Sequence, residues 1–65
     1  MKQEFRSVKS GSIYTVEGEK SRAFVTVSGE VANNRKAKAE VERIRKSGAT
    51  WDEAVWTARM LAKTY

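Results

Sequence analysis

Residue types that commonly perform catalysis are scarce in this 65-residue sequence, which contains neither histidine nor cysteine. The sequence therefore cannot form a Cys/His metal site or a nucleophile activated by a histidine base. Among its carboxylates, Asp52 and Glu53 are adjacent at a predicted helix start, and Glu17 and Glu19 flank a predicted turn. Neither pair is spaced to act from two sides of a substrate. We expect no enzyme activity, no cofactor and no bound metal.

Basic side chains are in excess, with 13 Lys and Arg against 8 Asp and Glu and a net charge of +5. A dense group of them falls on one predicted helix, and a helix that presents cations outward can lie along a phosphate backbone. The alternative is a solvated helix face whose cations pair internally at i, i+4 spacing, as Lys36–Glu40, Lys38–Glu42 and Glu42–Lys46 would. We expect the group to bind nucleic acid (DNA in preference to RNA) or an acidic protein surface. Its residues, called here the cationic face, are Arg35, Lys36, Lys38, Arg43 and Lys46.

A second candidate surface lies on the last predicted helix, residues 51–64. Trp56 and Met60, one turn apart, fall off the apolar stripe of that helix and toward its charged side. Trp, Met and Arg are enriched in the cores of protein interfaces, so we predict a partner-binding surface, called here the α2 patch: Trp56, Arg59, Met60 and Lys63. Two alternatives remain open. The helix could bury both faces between the sheet and the other helix, or a homodimer could cover the pair. The stripe itself consists of Trp51, Ala54, Val55, Ala58, Leu61 and Ala62.

The predicted strands offer a third, weaker feature. Arg22, Phe24 and Thr26 share one strand face, and Tyr14 lies on the neighbouring strand. Aromatic side chains on a sheet face can stack with nucleic-acid bases. The alternative is that Phe24 and Tyr14 belong to the core.

These side chains must be positioned by a small α+β domain spanning residues 1–65. Runs rich in β-branched and aromatic residues predict an antiparallel hairpin or three-stranded meander, over about 4–9, 12–17 and 22–28. The periodicity then changes to that of helices, which predicts an αα-hairpin over about 33–47 and 51–64. Asn33 or Asn34 is a suitable N-cap for the first helix, and Gly48 a suitable end. Thr50 with Glu53 is a capping box for the second helix.

The order of strand 22–28 and two helices is loosely similar to ribbon-helix-helix DNA-binding proteins. In that family the strands of two chains pair and enter the major groove. The resemblance covers about half of the chain and implies that Arg22, Thr26 and Ser28 read bases. The sequence departs from it in three ways: a hairpin partner for the strand is already predicted at 12–17, Phe24 occupies a reading position, and the first helix is long.

The sequence as a whole predicts a small, basic, cytoplasmic accessory or regulatory protein that binds nucleic acid through the cationic face. Small chains of this kind are common among bacterial and phage accessory factors, although that is an association only. The alternative is an interaction protein, such as an inhibitor or adaptor, that uses the α2 patch. No apolar run is long enough to span a membrane, and we expect no membrane partner.

Overall fold

The computed structural model describes residues 1–29 and 33–65, and it confirms the predicted α+β fold. A three-stranded antiparallel meander, in the order β1-β2-β3, is followed by two helices. The strands are β1 (Lys2–Arg6), β2 (Ile13–Gly18) and β3 (Ala23–Ser28), and the helices are α1 (Arg35–Ser47) and α2 (Trp51–Thr64). The bounds of α2 are those expected, whereas β1 lies earlier than the predicted range 4–9.

The buried Ser7 side chain explains why β1 ends at Arg6. Its Oγ accepts hydrogen bonds from the backbone N–H groups of Lys9 and Ser10, both at 3.2 Å. Such local bonds offer the backbone an alternative to the sheet ladder. The chain therefore turns over residues 8–10, and Val8, expected in a strand, is 94% exposed.

The turn between β2 and β3 fixes the sheet against the junction of the two helices. Gly18 has φ 136°, and a Cβ there would lie 2.5 Å from the Arg22 carbonyl oxygen, so this tight turn requires glycine. Beyond the turn, the Ala23 N–H donates to the Ala49 carbonyl at 2.8 Å. The Trp51 N–H also donates to a carbonyl of the turn, that of Lys20, at 3.0 Å. The start of α2 is therefore bonded to the sheet.

Alternation along the strands places one sheet face against the helices and leaves the other open. The register pairs Tyr14 with Val27 and Val16 with Val25, so these four side chains point toward the helices. The helices supply small and medium side chains in return. The buried apolar residues are Tyr14, Val16, Ala23, Val25, Ala37, Val41, Ile44, Ala54, Ala58, Leu61 and Ala62.

Each helix packs mainly on the sheet rather than on the other helix. α1 lies along β3, and α2 lies mainly across β2, with further contacts to β3 and β1. The apolar stripe of α1 is narrow, with Ala37, Val41 and Ile44 buried. Because α2 also has buried and exposed sides, the position of Trp56 and Met60 on its circumference decides whether they are covered.

Both helices begin at the expected caps. The Asn34 side chain accepts from the N–H groups of Lys36 and Ala37, at 3.0 and 3.1 Å. Thr50 Oγ1 accepts from the Glu53 N–H at 3.3 Å and donates to the Glu53 carboxylate at 3.4 Å. The predicted reciprocal bond, from the Thr50 amide to that carboxylate, is not among the hydrogen bonds of the described residues. The capping box is therefore half formed.

Candidate interaction surface

Trp56 and Met60 lie on the outer side of α2, where the sheet does not reach them. Trp56 is 64% exposed and Met60 is 45% exposed. The helical repeat accounts for this, since the buried positions Ala54, Ala58 and Leu61 define the opposite side of the helix. The alternative in which α2 buries both of its faces is therefore wrong for this pair.

Arg59 and Lys63 border the two apolar side chains on the side of α2 nearest β1. Together with Trp56 and Met60 they line a shallow groove of about 200 Å³. All four predicted residues of the α2 patch are exposed and adjacent. No ion pair within the described residues involves Arg59 or Lys63, so their charges are available to a partner.

A second groove continues from Trp56 and Met60 toward α1. Its volume is about 270 Å³, and it extends the exposed apolar surface between the two helices. The sequence did not reveal this groove, because the spacing of residues within α2 says nothing about which part of α1 lies beside it. Its further lining residues are Glu40, Thr57, Leu61, Thr64 and Tyr65.

All five residues of the cationic face are exposed on α1, but acidic side chains interrupt the face. Arg43 pairs with Glu40 at 3.0 Å, and the neighbouring Arg45 pairs with Glu42 at 3.7 Å. Both pairs have i, i+3 spacing, so the three i, i+4 pairs predicted from the sequence are wrong. At the shorter spacing, the guanidinium groups of Arg43 and Arg45 reach the carboxylates of Glu40 and Glu42. The other four residues of the cationic face have no ion-pair partner in the described chain: Arg35, Lys36, Lys38 and Lys46.

The aromatic side chains of the strands do not share a surface. Tyr14 faces the helices and is fully buried, whereas Phe24 lies opposite Glu17 on the open face and is 40% exposed. Tyr14 and Phe24 therefore point to opposite sides of the sheet. This arrangement excludes a joint stacking surface of the two rings and confirms the core alternative for Tyr14 alone.

The Tyr14 hydroxyl is a buried polar atom that finds no hydrogen-bond partner among the described residues. Burial raises the pKa of this phenol above its usual 10.0, and the nearby Tyr65 adds a smaller upward shift. Because the group is enclosed beneath the helices, it offers a ligand no access. The Tyr14 hydroxyl therefore affects the stability of the fold and not the binding of a ligand.

The pairing of β3 does not fit the ribbon-helix-helix resemblance. In that family the strand pairs with a second chain, whereas β3 is paired along its whole length with β2. Its other edge is already engaged at Ala23, which bonds to Ala49. Thr26 and Ser28 are exposed, as base-reading residues would have to be, but β3 is engaged by β2 on one edge and by Ala49 at the start of the other.

Comparisons with protein-family models, curated proteins and solved structures found no match to this chain. Among the described residues, no group of three or more acidic side chains is arranged to hold a metal ion. None of the described helices combines the length and apolarity needed to cross a bilayer.

Proposed function

We propose that this protein is a small cytoplasmic interaction module that binds a protein partner through the α2 patch. The proposal is carried by the exposure of Trp56, at 64%, beside Met60, at 45%. The other large apolar side chains exposed in the described chain, Met1, Val8 and Phe24, lie outside α2. Two adjacent exposed apolar groups of the types enriched in interface cores mark a binding surface.

The cations around the patch favour an acidic region of the partner. Arg59 and Lys63 line the same groove as the two apolar side chains, and both are free of ion pairs within the described residues. A central apolar anchor with charged residues at its rim is the usual arrangement of interface hot spots. The charges would speed association and set the orientation of the complex, while the indole would supply most of the affinity.

An affinity capture with the wild-type protein and two variants tests this proposal. Trp56→Ala removes the anchor, and Phe24→Ala removes a second exposed aromatic group that lies on β3, outside the patch. We expect a captured partner to be retained by Phe24→Ala and to bind Trp56→Ala about 30-fold more weakly, which corresponds to about 2 kcal/mol. Equal affinity for the wild type and Trp56→Ala would contradict the proposal.

Nucleic-acid binding through the cationic face is the second candidate function. It is supported by the four α1 cations without ion pairs in the described chain and by the net charge of +5. It ranks second because Glu40 and Glu42 lie among these cations and occupy two arginines of the same helix. A bound phosphate backbone would approach both glutamates as well.

Salt dependence distinguishes the second candidate from the first. If α1 binds DNA, affinity for a mixed duplex will fall steeply as salt rises from about 50 to about 200 mM. The double variant Arg35→Glu, Lys36→Glu will then reduce the slope of the log–log plot by about 0.9 for each lost phosphate contact. Arg45→Gln is the matched control, since that arginine is already paired. We expect no such binding if the α2 patch is the functional surface.

A further inference from the structure

One edge of the sheet has hydrogen-bonding groups that nothing in the described chain satisfies. At one end of β1, Met1 and Gly18 exchange two backbone bonds, of 2.8 and 3.1 Å. At the other end, the Ser7 N–H donates to the Ser12 carbonyl at 2.8 Å. In an antiparallel pair such bonds recur at every second residue. The backbone groups of Lys2, Glu4 and Arg6 therefore point away from β2, toward the outside of the sheet.

The opposite edge of the sheet is different. On β3 the outward N–H of Ala23 already donates to Ala49, and α1 packs along this strand. β1 has β2 as its single strand neighbour in the described chain. An edge with free donors and acceptors is a template for the addition of another strand.

A groove lies directly beside this edge, between β1 and α2. Its volume is about 350 Å³, and its apolar lining comes from Phe5, Val8 and Ala62. An extended segment bonded to β1 would direct alternate side chains into this groove and the others toward the open face of the sheet. Backbone pairing supplies affinity in such complexes, and the groove supplies side-chain preference.

The charge of the groove selects the occupant. Arg6, Arg59 and Lys63 line it, against the single acid Glu4, and none of the three cations is in an ion pair within the described residues. A second copy of this chain on β1 would bring the same cations toward each other. An acidic segment would instead neutralise them.

We propose that β1 and α2 together bind an extended acidic segment of a protein partner, which adds to the sheet as a fourth strand beside β1. This inference rests on the proposed function and names the chemistry of the partner. The two surfaces are continuous, because Arg59 and Lys63 line both the β1–α2 groove and the α2 patch. The partner segment runs along β1, and its neighbouring residues reach the indole of Trp56.

A synthetic peptide of alternating glutamate and valine, with blocked ends and about seven residues long, is the probe. Titrated into isotope-labelled protein, it should shift the amide resonances of Lys2, Glu4 and Arg6 and slow their hydrogen exchange. A peptide with lysine in place of glutamate should leave these amides unchanged. Shifts confined to α1, or a dimer held through β1 in sedimentation, would overturn the proposal.

The variant Glu4→Pro isolates the backbone contribution. Proline removes an outward N–H but no bond of the β1–β2 ladder, and edge strands tolerate it at such positions. We expect Glu4→Pro to bind the peptide roughly tenfold more weakly than Glu4→Ala, the matched control, which loses the same carboxylate but keeps the outward N–H. Equal peptide binding by Glu4→Pro and Glu4→Ala overturns strand addition. If Trp56→Ala still weakens a captured partner in that case, the proposed function stands without it.

Discussion

The two helices pack on the same sheet face but present different outer surfaces. On α1 the large apolar side chains, Val41 and Ile44, are buried, and the outside carries charges that are partly paired with one another. On α2 the buried side is formed largely by alanines, and of its two tryptophans Trp51 packs against the core while Trp56 lies outside. Stability of the chain alone explains the α1 arrangement. It does not explain an exposed indole, and this difference is the reason for proposing α2 as the binding surface.

The largest difference in the free energy of unfolding is expected between substitutions on the two sides of α2. Leu61→Ala removes a buried side chain from the core and should lower the free energy of unfolding by about 2–5 kcal/mol. Trp56→Ala, on the outside, should change it by no more than about 0.5 kcal/mol. Urea denaturation followed by circular dichroism measures both. A large loss of stability in Trp56→Ala would mean that the indole serves the fold.

Removal of the two helix caps should reveal a smaller difference in stability between α1 and α2. Asn34 accepts two backbone N–H groups at the start of α1, whereas Thr50 accepts one at the start of α2. Replacement of either by alanine should cost about 1 kcal/mol, within a range of about 0.5–2. We expect Asn34→Ala to lie toward the upper end and Thr50→Ala toward the lower end, measured by thermal and chemical denaturation. The reverse order would show that the start of α2 depends more strongly on its cap than the bond count indicates.

Tyr14→Phe tests the polar atom buried beneath the helices. Removal of a hydroxyl without a partner in the described chain should raise the free energy of unfolding by about 1 kcal/mol. The wild type should also lose stability as the pH rises through about 10, because the unfolded phenol ionises before the folded one, whose pKa is raised. The variant should show a flatter decline in denaturation curves between about pH 9 and pH 11. Equal pH dependence would mean that the hydroxyl is hydrated.

The smallest effect is expected on the outside of α1. Glu40→Gln breaks the exposed pair with Arg43 and should change the free energy of unfolding by less than about 0.5 kcal/mol. The same variant leaves Arg43 unpaired, so it should strengthen duplex binding if the cationic face is functional after all. An unchanged affinity for duplex DNA agrees with placing the binding surface on α2 and not on α1.

Features that depend on local sequence were predictable, whereas those that depend on which elements lie side by side were not. The range of α2, its cap at Thr50 and the outward position of Trp56 follow from helical periodicity and local capping. The predicted end of β1 was wrong because the Ser7 side chain bonds to the following turn. The residues up to Lys9 are typical of a strand, so the sequence pattern did not indicate this turn. The edge of β1 and the β1–α2 groove depend on which elements lie side by side. Periodicity cannot show that.

The affinity of a captured partner for two variants tests the difference between the helices most directly. One variant, Trp56→Ala, alters the outside of α2, and the other, Arg35→Glu with Lys36→Glu, alters the outside of α1. If α2 carries the binding function, the first variant weakens binding about 30-fold and the second by less than about threefold. A loss of affinity confined to the α1 variant would contradict the account.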